Sequence, residues 1–309
     1  DGSMAGSPSA TSYLLSRLPG WQERLPVSVE YLEGMLAQPR TGLPAFHPCD
    51  VFARAWTIYY LQHGGLLDEN KDLLLPHYEH LMMNLRPDGV GFAATSGFVD
   101  SDDTATTLLV LHRAGYEVDG SCLLNFEQDH CFAVYGYERN PSVSANLHVL
   151  EALDAFPEED RARVRDKIIS YLLSARQQGT YWTDKWHASV YYPTTRALMI
   201  MSDYVPQEMK QTLEWLLANQ RDDGSWGQYE STMEETSLTL LALLRYHATV
   251  RPLPREPLQR AAEYLLEHEK HPRGHPELWV CKTLYAPIFA IEACRLAALS
   301  NYHHAFSDT

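Results

Sequence analysis

Apolar residues recur at helical spacing along almost the whole chain. Val164, Ile168, Ile169, Leu172 and Leu173 form one stripe, with Gly179 after it as a stop. Met209, Leu213, Leu216 and Leu217 form a second after Pro206, and Leu258, Ala261, Leu265 and Leu266 a third after Pro257. Spacing of i, i+3, i+4 and i+7 between a proline and a glycine marks amphipathic helices. Two-residue alternation is rare, and no hairpin turn joins alternating runs. The pattern predicts an all-α fold of short to medium helices, paired by Gly- or Pro-bearing loops. One apolar stripe per helix suits a two-layer barrel of α-hairpins. No strict short-period repeat is visible. Two long polar connections interrupt the helices, Pro87 to Ser101 and His268 to Glu277. Long loops in compact domains tend to carry function.

The net charge of -15 argues against a nucleic-acid surface, which needs a basic face. An anionic ligand would have to be held locally, by a few Lys or Arg residues or a bound cation. Cys49, Cys122, Cys131, Cys281 and Cys294 show no CxxC spacing, which predicts neither a zinc site nor a disulfide framework and suggests a reducing, cytoplasmic setting. No apolar run approaches the roughly 20 residues of a membrane span, and the first residues carry no signal pattern.

The first long connection leads into Asp100-Ser101-Asp102-Asp103-Thr104, just before the apolar run Leu108, Leu109, Leu111. Three carboxylates at a helix start have several meanings. They can cap the helix and face its positive end. A calcium loop fails, because its sixth position is Ala105 rather than Gly and its twelfth is Leu111 rather than Glu. They can also form a general acid with supporting carboxyls, since crowded like charges hold a proton near neutrality.

Phe98-Val99-Asp100-Ser101-Asp102-Asp103-Thr104-Ala105 resembles the DxDD-T-A signature of class II terpene cyclases. Gln220-Arg221-Asp222-Asp223-Gly224-Ser225-Trp226-Gly227 resembles the QxxDGSWG motif of that superfamily. Ser7-Pro8-Ser9-Ala10-Thr11 is similar to the SPSAT stretch of copalyl diphosphate synthases, and Gly42-Leu43-Pro44 with Pro48-Cys49-Asp50-Val51-Phe52 to their GxPxxxPxDLF segment. Asp184-Lys185-Trp186 and Lys282-Thr283-Leu284-Tyr285 resemble their DKW and KTLY segments. All six occur in the family's order across nearly the whole chain.

The resemblance implies an (α/α) barrel β domain over 67-309, preceded by the end of a γ domain over 1-66, with the active site between them. In the family some two hundred residues precede SPSAT, so the chain resembles a C-terminal fragment whose partner is the N-terminal part of the same enzyme. The implied reaction is protonation-initiated bicyclisation of geranylgeranyl diphosphate to a copalyl-type diphosphate. Ionisation-driven chemistry is not implied, because no DDxxD occurs. Asp102 would donate the proton, supported by Asp100 and Asp103. Asn146 matches a position that hydrogen-bonds the acid, or else caps a helix. Trp56 matches a pocket-lining Trp, and Phe92 stands where another family Trp does. Trp186, Tyr191, Tyr192 and Tyr285 are further aromatic candidates, or plain core. Lys185 and Lys282 are candidates for the diphosphate, with Mg²⁺ whose ligands would lie outside this chain. Ala45 replaces a family Asn that assists the final deprotonation, and His47 could act as base instead. Gln220 and Trp226 are expected to tie outer helices together.

Squalene-hopene cyclases share DxDD but repeat the QW motif several times, where one clear copy is legible here. A drimenyl-type cyclase using farnesyl diphosphate, and a fragment that only binds prenyl diphosphates, are the other readings. A zinc prenyltransferase shares the barrel but would need Asp, Cys and His zinc ligands.

Overall fold

A computed structural model describes residues 2–4, 6–37, 48–67, 71–268 and 275–307. Short helices α1 (Pro8–Arg17), α2 (Trp21–Arg24) and α3 (Pro26–Leu36) come first and pack on one another. The SPSAT stretch starts α1: Ser7 caps it by accepting from the Ala10 N–H, Pro8 occupies the first turn, and the Thr11 hydroxyl donates to the Ser7 carbonyl.

Six helices then form a closed ring. They are α4 (Asp50–His63), α6 (Ser101–Arg113), α7 (Val143–Glu151), α9 (Tyr191–Met201), α11 (Met233–Thr249) and α13 (Ile288–Phe306), each packed on the next, with α13 returning to α4. The expected domain boundary at residue 66 is therefore corrected. Helix α4 is one of the six walls, so the barrel begins no later than Asp50.

The outer layer has α5 (Lys71–Asn84) across α4 and α6, α8 (Glu158–Ala175) on α7, α10 (Lys210–Ala218) on α9, and α12 (Arg255–Glu267) across α11 and α13. A 3-10 segment, Gly120–Phe126, covers α6. Between α13 and α4 no outer helix sits among the described residues. An apolar groove of about 960 Å³ lies there, lined by Ile58, Leu61, Leu73, Phe289, Leu296 and Leu299 among others. A two-residue antiparallel pair, β1 (Trp279–Val280) with β2 (Leu284–Tyr285), precedes α13.

Inner and outer helices differ in sequence because they differ in burial. Helices α8 and α10 bury one stripe each: Val164, Ile168 and Leu172, then Thr212, Leu213 and Leu216. Helix α9 is buried from Tyr191 to Met201, and α7 from Val143 to Leu150. Helices enclosed on all sides cannot be amphipathic.

A repeated clamp joins the layers. In four loops one residue has both its backbone N–H and its C=O bonded to a polar side chain in the first turn of the following inner helix. The pairs are Val90 with Thr104, Phe132 with Asn146, Trp182 with Thr194, and Trp226 with Thr236. Trp182 and Trp226 also donate their indole N–H to Leu172 O (2.7 Å) and Leu216 O (2.8 Å) at the ends of α8 and α10. The Gln220 amide donates to Gly224 O and Pro257 O, reaching α12. One QW copy is legible in the sequence; among the described residues four loops share the backbone clamp, two of them with the Trp bond and one of those with the Gln bond as well. Gly89, at φ +114, precedes one clamp, and a Cβ there would lie 2.6 Å from the Thr104 hydroxyl, so only glycine fits. Replacing Thr236 by Val strands the buried Trp226 N–H. We expect a loss of about 1–3 kcal/mol in urea denaturation, the cost of one unsatisfied buried group.

Candidate active site

Asp100 is the N-cap of α6, its Oδ1 accepting from the Asp103 N–H at 2.7 Å. Its own N–H donates to Val90 O, and the Ser101 N–H to Val134 O, so two loops fix the start of the helix. Asp102 and Asp103 fall in the first turn, where the helix's positive end favours a carboxylate. The cap reading therefore holds for Asp100.

The three carboxyls are unequal. Asp100 is buried, and burial pushes its carboxyl up to about 7, opposed by the Asp103 N–H and reinforced by the neighbouring Asp102. Asp103 is held well above the usual carboxylate range by burial first, then by the charges of Asp100 and Asp102. Its Oδ1 has no protein partner. Asp102 is the most accessible, its side chain 19% exposed against a cavity.

Asp102 Oδ1 is bonded to Nδ1 of His148, which is 1% exposed inside α7. A chain of partners sets the tautomer. The Trp56 indole donates to Tyr192 Oη at 3.2 Å, and Tyr192 Oη lies 3.4 Å from His148 Nε2. Indole is a donor only, so the phenol hydrogen of Tyr192 is free to reach Nε2; with Tyr192 donating there, the imidazole hydrogen lies on Nδ1, facing Asp102. The bond ties the Asp102 carboxyl to a buried side chain of α7.

Around the acid the walls are aromatic. Phe52, Phe92, Tyr135, Trp186, Trp279 and Tyr285 line a cavity of about 80 Å³ with the three aspartates. It shares Phe92, Tyr135, Trp186 and Cys281 with a neighbouring cavity of about 500 Å³ that Lys282 and Phe98 also line. Phe52 lies 5.5 Å from Trp279 and 6.3 Å from Tyr285, both edge to face.

Several expected residues move. Asn146 does not hold Asp102. Its amide hydrogens go to Phe132 O and Ser142 O, and its oxygen accepts from the Phe132 N–H, all at 2.8 Å, so it is a clamp; Ser142 caps the helix. His148, two residues on, takes the expected place. Trp56 does not line the cavity but packs behind Phe52, centroids 4.4 Å apart. Tyr191 faces away from it, onto Trp215 in the outer layer at 5.5 Å, and its neighbour Tyr192 carries the inward ring. Lys185 is bonded to the Glu138 carboxylate and Asn140 O, and stacks over Trp186 at 5.2 Å. Asp184 accepts from Ser142, Ser144 and Trp186, making the DKW segment a brace. Phe92, Trp186 and Tyr285 are at the cavity as expected. Lys282 lines the larger space. His47 and Ala45 lie outside the described residues.

His148 and Trp279 were missed. A lone histidine in the apolar run of α7 was the only signal for the first. The second stands just ahead of the KTLY segment.

Residues 138–292, half of the chain, match the family described as the squalene-hopene cyclase C-terminal domain. The chain belongs to this family. It is 31% identical, over 97% of its length and 60% of the relative's, to the type B diterpene cyclase of Mycobacterium tuberculosis. It is 33% identical to a copalyl diphosphate synthase of Streptomyces anulatus, over 88% and 50%. The solved ent-copalyl diphosphate synthase of Streptomyces platensis superposes with a TM-score of 0.86 at 33% identity, over 98% of this chain and 59% of that one. The chain thus spans about three-fifths of the length of such relatives. In this squalene-hopene cyclase family barrel, the cavity at the acidic cluster is lined from α4, the start of α6 and the segments ahead of α9 and α13. No helix of the described residues is long and apolar enough to cross a membrane.

The raised carboxyl of Asp100 has a stability consequence. Below about pH 4 it is protonated folded or unfolded. Between about 4 and 7 the unfolded chain ionises while the folded chain holds its proton, so this group's contribution falls as pH rises and is gone above 7. Asp100→Asn keeps a good cap and removes that titration. We expect the wild-type thermal midpoint to drop, relative to the variant's, between pH 4 and 7.

Proposed function

We propose that the protein is a class II diterpene cyclase converting geranylgeranyl diphosphate to a bicyclic, copalyl-type diphosphate. One observation carries the reading: a carboxylic acid, Asp102, held by a histidine at a helix N-terminus and opening on a cavity walled by aromatic rings. An alkene is a very poor base, so its protonation needs an acid whose conjugate base is stabilised in advance and water kept away. His148 and the helix end supply the first, and the aromatic walls the second. Asp102 gives its proton to the terminal alkene, a tertiary cation forms, and the next double bonds close on it in turn. The bicyclic cation loses a proton, so the reaction is an isomerisation and the diphosphate is retained. Aromatic faces stabilise each cation without trapping it, at about 0.5–2 kcal/mol per face. Asp102 is left as a carboxylate, and the two protonated carboxyls beside it are the nearest stores of a replacement proton. The similarity to a diterpene cyclase and to copalyl diphosphate synthases supports this choice of substrate.

The cavity at the acid is far too small for the whole prenyl chain. We propose that part of the relatives' length which this chain does not span completes it, with α1 to α3 as the end of a second domain. Mg²⁺ is expected with the diphosphate. Among the described residues no three His, Cys, Asp or Glu side chains are grouped to hold a metal, so the residues present do not fit it and no step is routed through it. The test is incubation of the natural protein carrying this chain with geranylgeranyl diphosphate, followed by phosphatase and mass spectrometry. A bicyclic alcohol is expected; recovery of linear geranylgeraniol alone would refute the reading.

A further inference from the structure

Behind the cavity's inner wall lies a second buried acid that the proton-transfer machinery does not use. Glu234, in the first turn of α11, is 3% exposed. Two donors converge on its Oε1. The Trp279 indole N–H reaches it at 2.6 Å, and His187 Nε2 lies at 3.3 Å. His187 Nδ1 accepts the Ser189 N–H at 3.1 Å, so the imidazole hydrogen is on Nε2, toward Glu234. Glu234 Oε2 is buried with no protein partner. The group therefore serves as an acceptor enclosed by rings. His187 stacks on Tyr192 at 4.7 Å and meets Trp279 edge-on at 5.2 Å, and Tyr192 meets Trp279 at 4.7 Å.

Trp279 is the layer between this carboxylate and the cavity that holds Asp102. An anion in the cavity itself would capture a carbocation or take a proton from it early. An anion behind an indole can do neither, yet in a low-dielectric interior its field still reaches across one ring. Accepting the indole N–H also pushes electron density onto the ring and fixes its tilt, which strengthens the face offered to a cation.

Building on the cyclase reading above, we propose that Glu234 is a positioning residue for Trp279, which with the carboxylate behind it forms a screened anionic wall favouring the cationic stages of the reaction over neutral substrate. The test compares wild type, Glu234→Gln, Trp279→Phe and the double variant in the natural protein. Gln keeps the shape and an acceptor oxygen but removes the charge. Glu234→Gln is expected to lower kcat about tenfold with KM within about twofold, the signature of an interaction made after the ground state. It should weaken binding of a prenyl diphosphate analogue bearing a tertiary ammonium about tenfold, with binding of the neutral, unreactive analogue unchanged. The Glu234→Gln effect should shrink in the Trp279→Phe background, because the acid acts in part through the indole, and full additivity would contradict that coupling. Equal weakening of both analogues, or a change in KM alone, would reduce Glu234 to a structural support and overturn the proposal. If wild type forms no cyclic product, the cyclase reading fails separately. The analogue pair still decides, and identical affinities for the ammonium analogue in wild type and Glu234→Gln overturn the assignment.

Discussion

Asp102→Asn should abolish cyclisation while leaving the barrel intact. The expected loss is about 10³–10⁴-fold, the upper range for a positioned general acid. Stability should change by less than about 0.5 kcal/mol, as for other accessible positions. The reason is geometric. The amide oxygen of Asn still accepts from the His148 Nδ1–H and sits in the same first turn of α6. An amide, however, has no proton acidic enough for an alkene. Product formation and thermal unfolding, measured on the same preparation, separate the two effects.

Asn146→Ala should do the reverse. Its three hydrogen bonds all lie inside the fold, and truncation strands both the N–H and the C=O of buried Phe132. At about 1–3 kcal/mol for each unsatisfied group, with some relaxation, we expect a loss of about 3–4 kcal/mol in denaturant unfolding. Activity per folded molecule should fall far less than in Asp102→Asn. A variant as stable as wild type but inactive would instead place Asn146 at the acid, as its sequence position suggests.

That contrast shows what the sequence could reveal. The three apolar stripes legible in it, starting at Val164, Met209 and Leu258, are α8, α10 and α12, all in the outer layer. Only a helix wet on one side has a stripe. The inner helices α7 and α9, enclosed all round, have none. The same difference hid the repeat. The clamp needs a backbone and a hydroxyl or amide, so Val90 and Phe132 can stand where Trp182 and Trp226 do, and only the Trp copy with its DGSWG turn is recognisable.

The acidic cluster was legible because its residues are adjacent in the chain. His148, Trp279 and Glu234 were not, since they meet the aspartates and rings only through ring closure. The choice between Tyr191 and Tyr192 turns on helix phase, about 100° per residue. A composition-level reading of aromatic candidates cannot resolve it. The boundary at residue 66 failed for a related reason. Helix α4 lies before residue 66 yet is a wall of the ring.

Proton transfer to carbon is tested most directly by running the reaction in deuterium oxide. A prenyl diphosphate protonated by Asp102, whose acid exchanges with solvent, should give a cyclic product one mass unit heavier, with the diphosphate still attached, and none from Asp102→Asn. Cyclic product without deuterium, or release of inorganic diphosphate with ring closure, would contradict it.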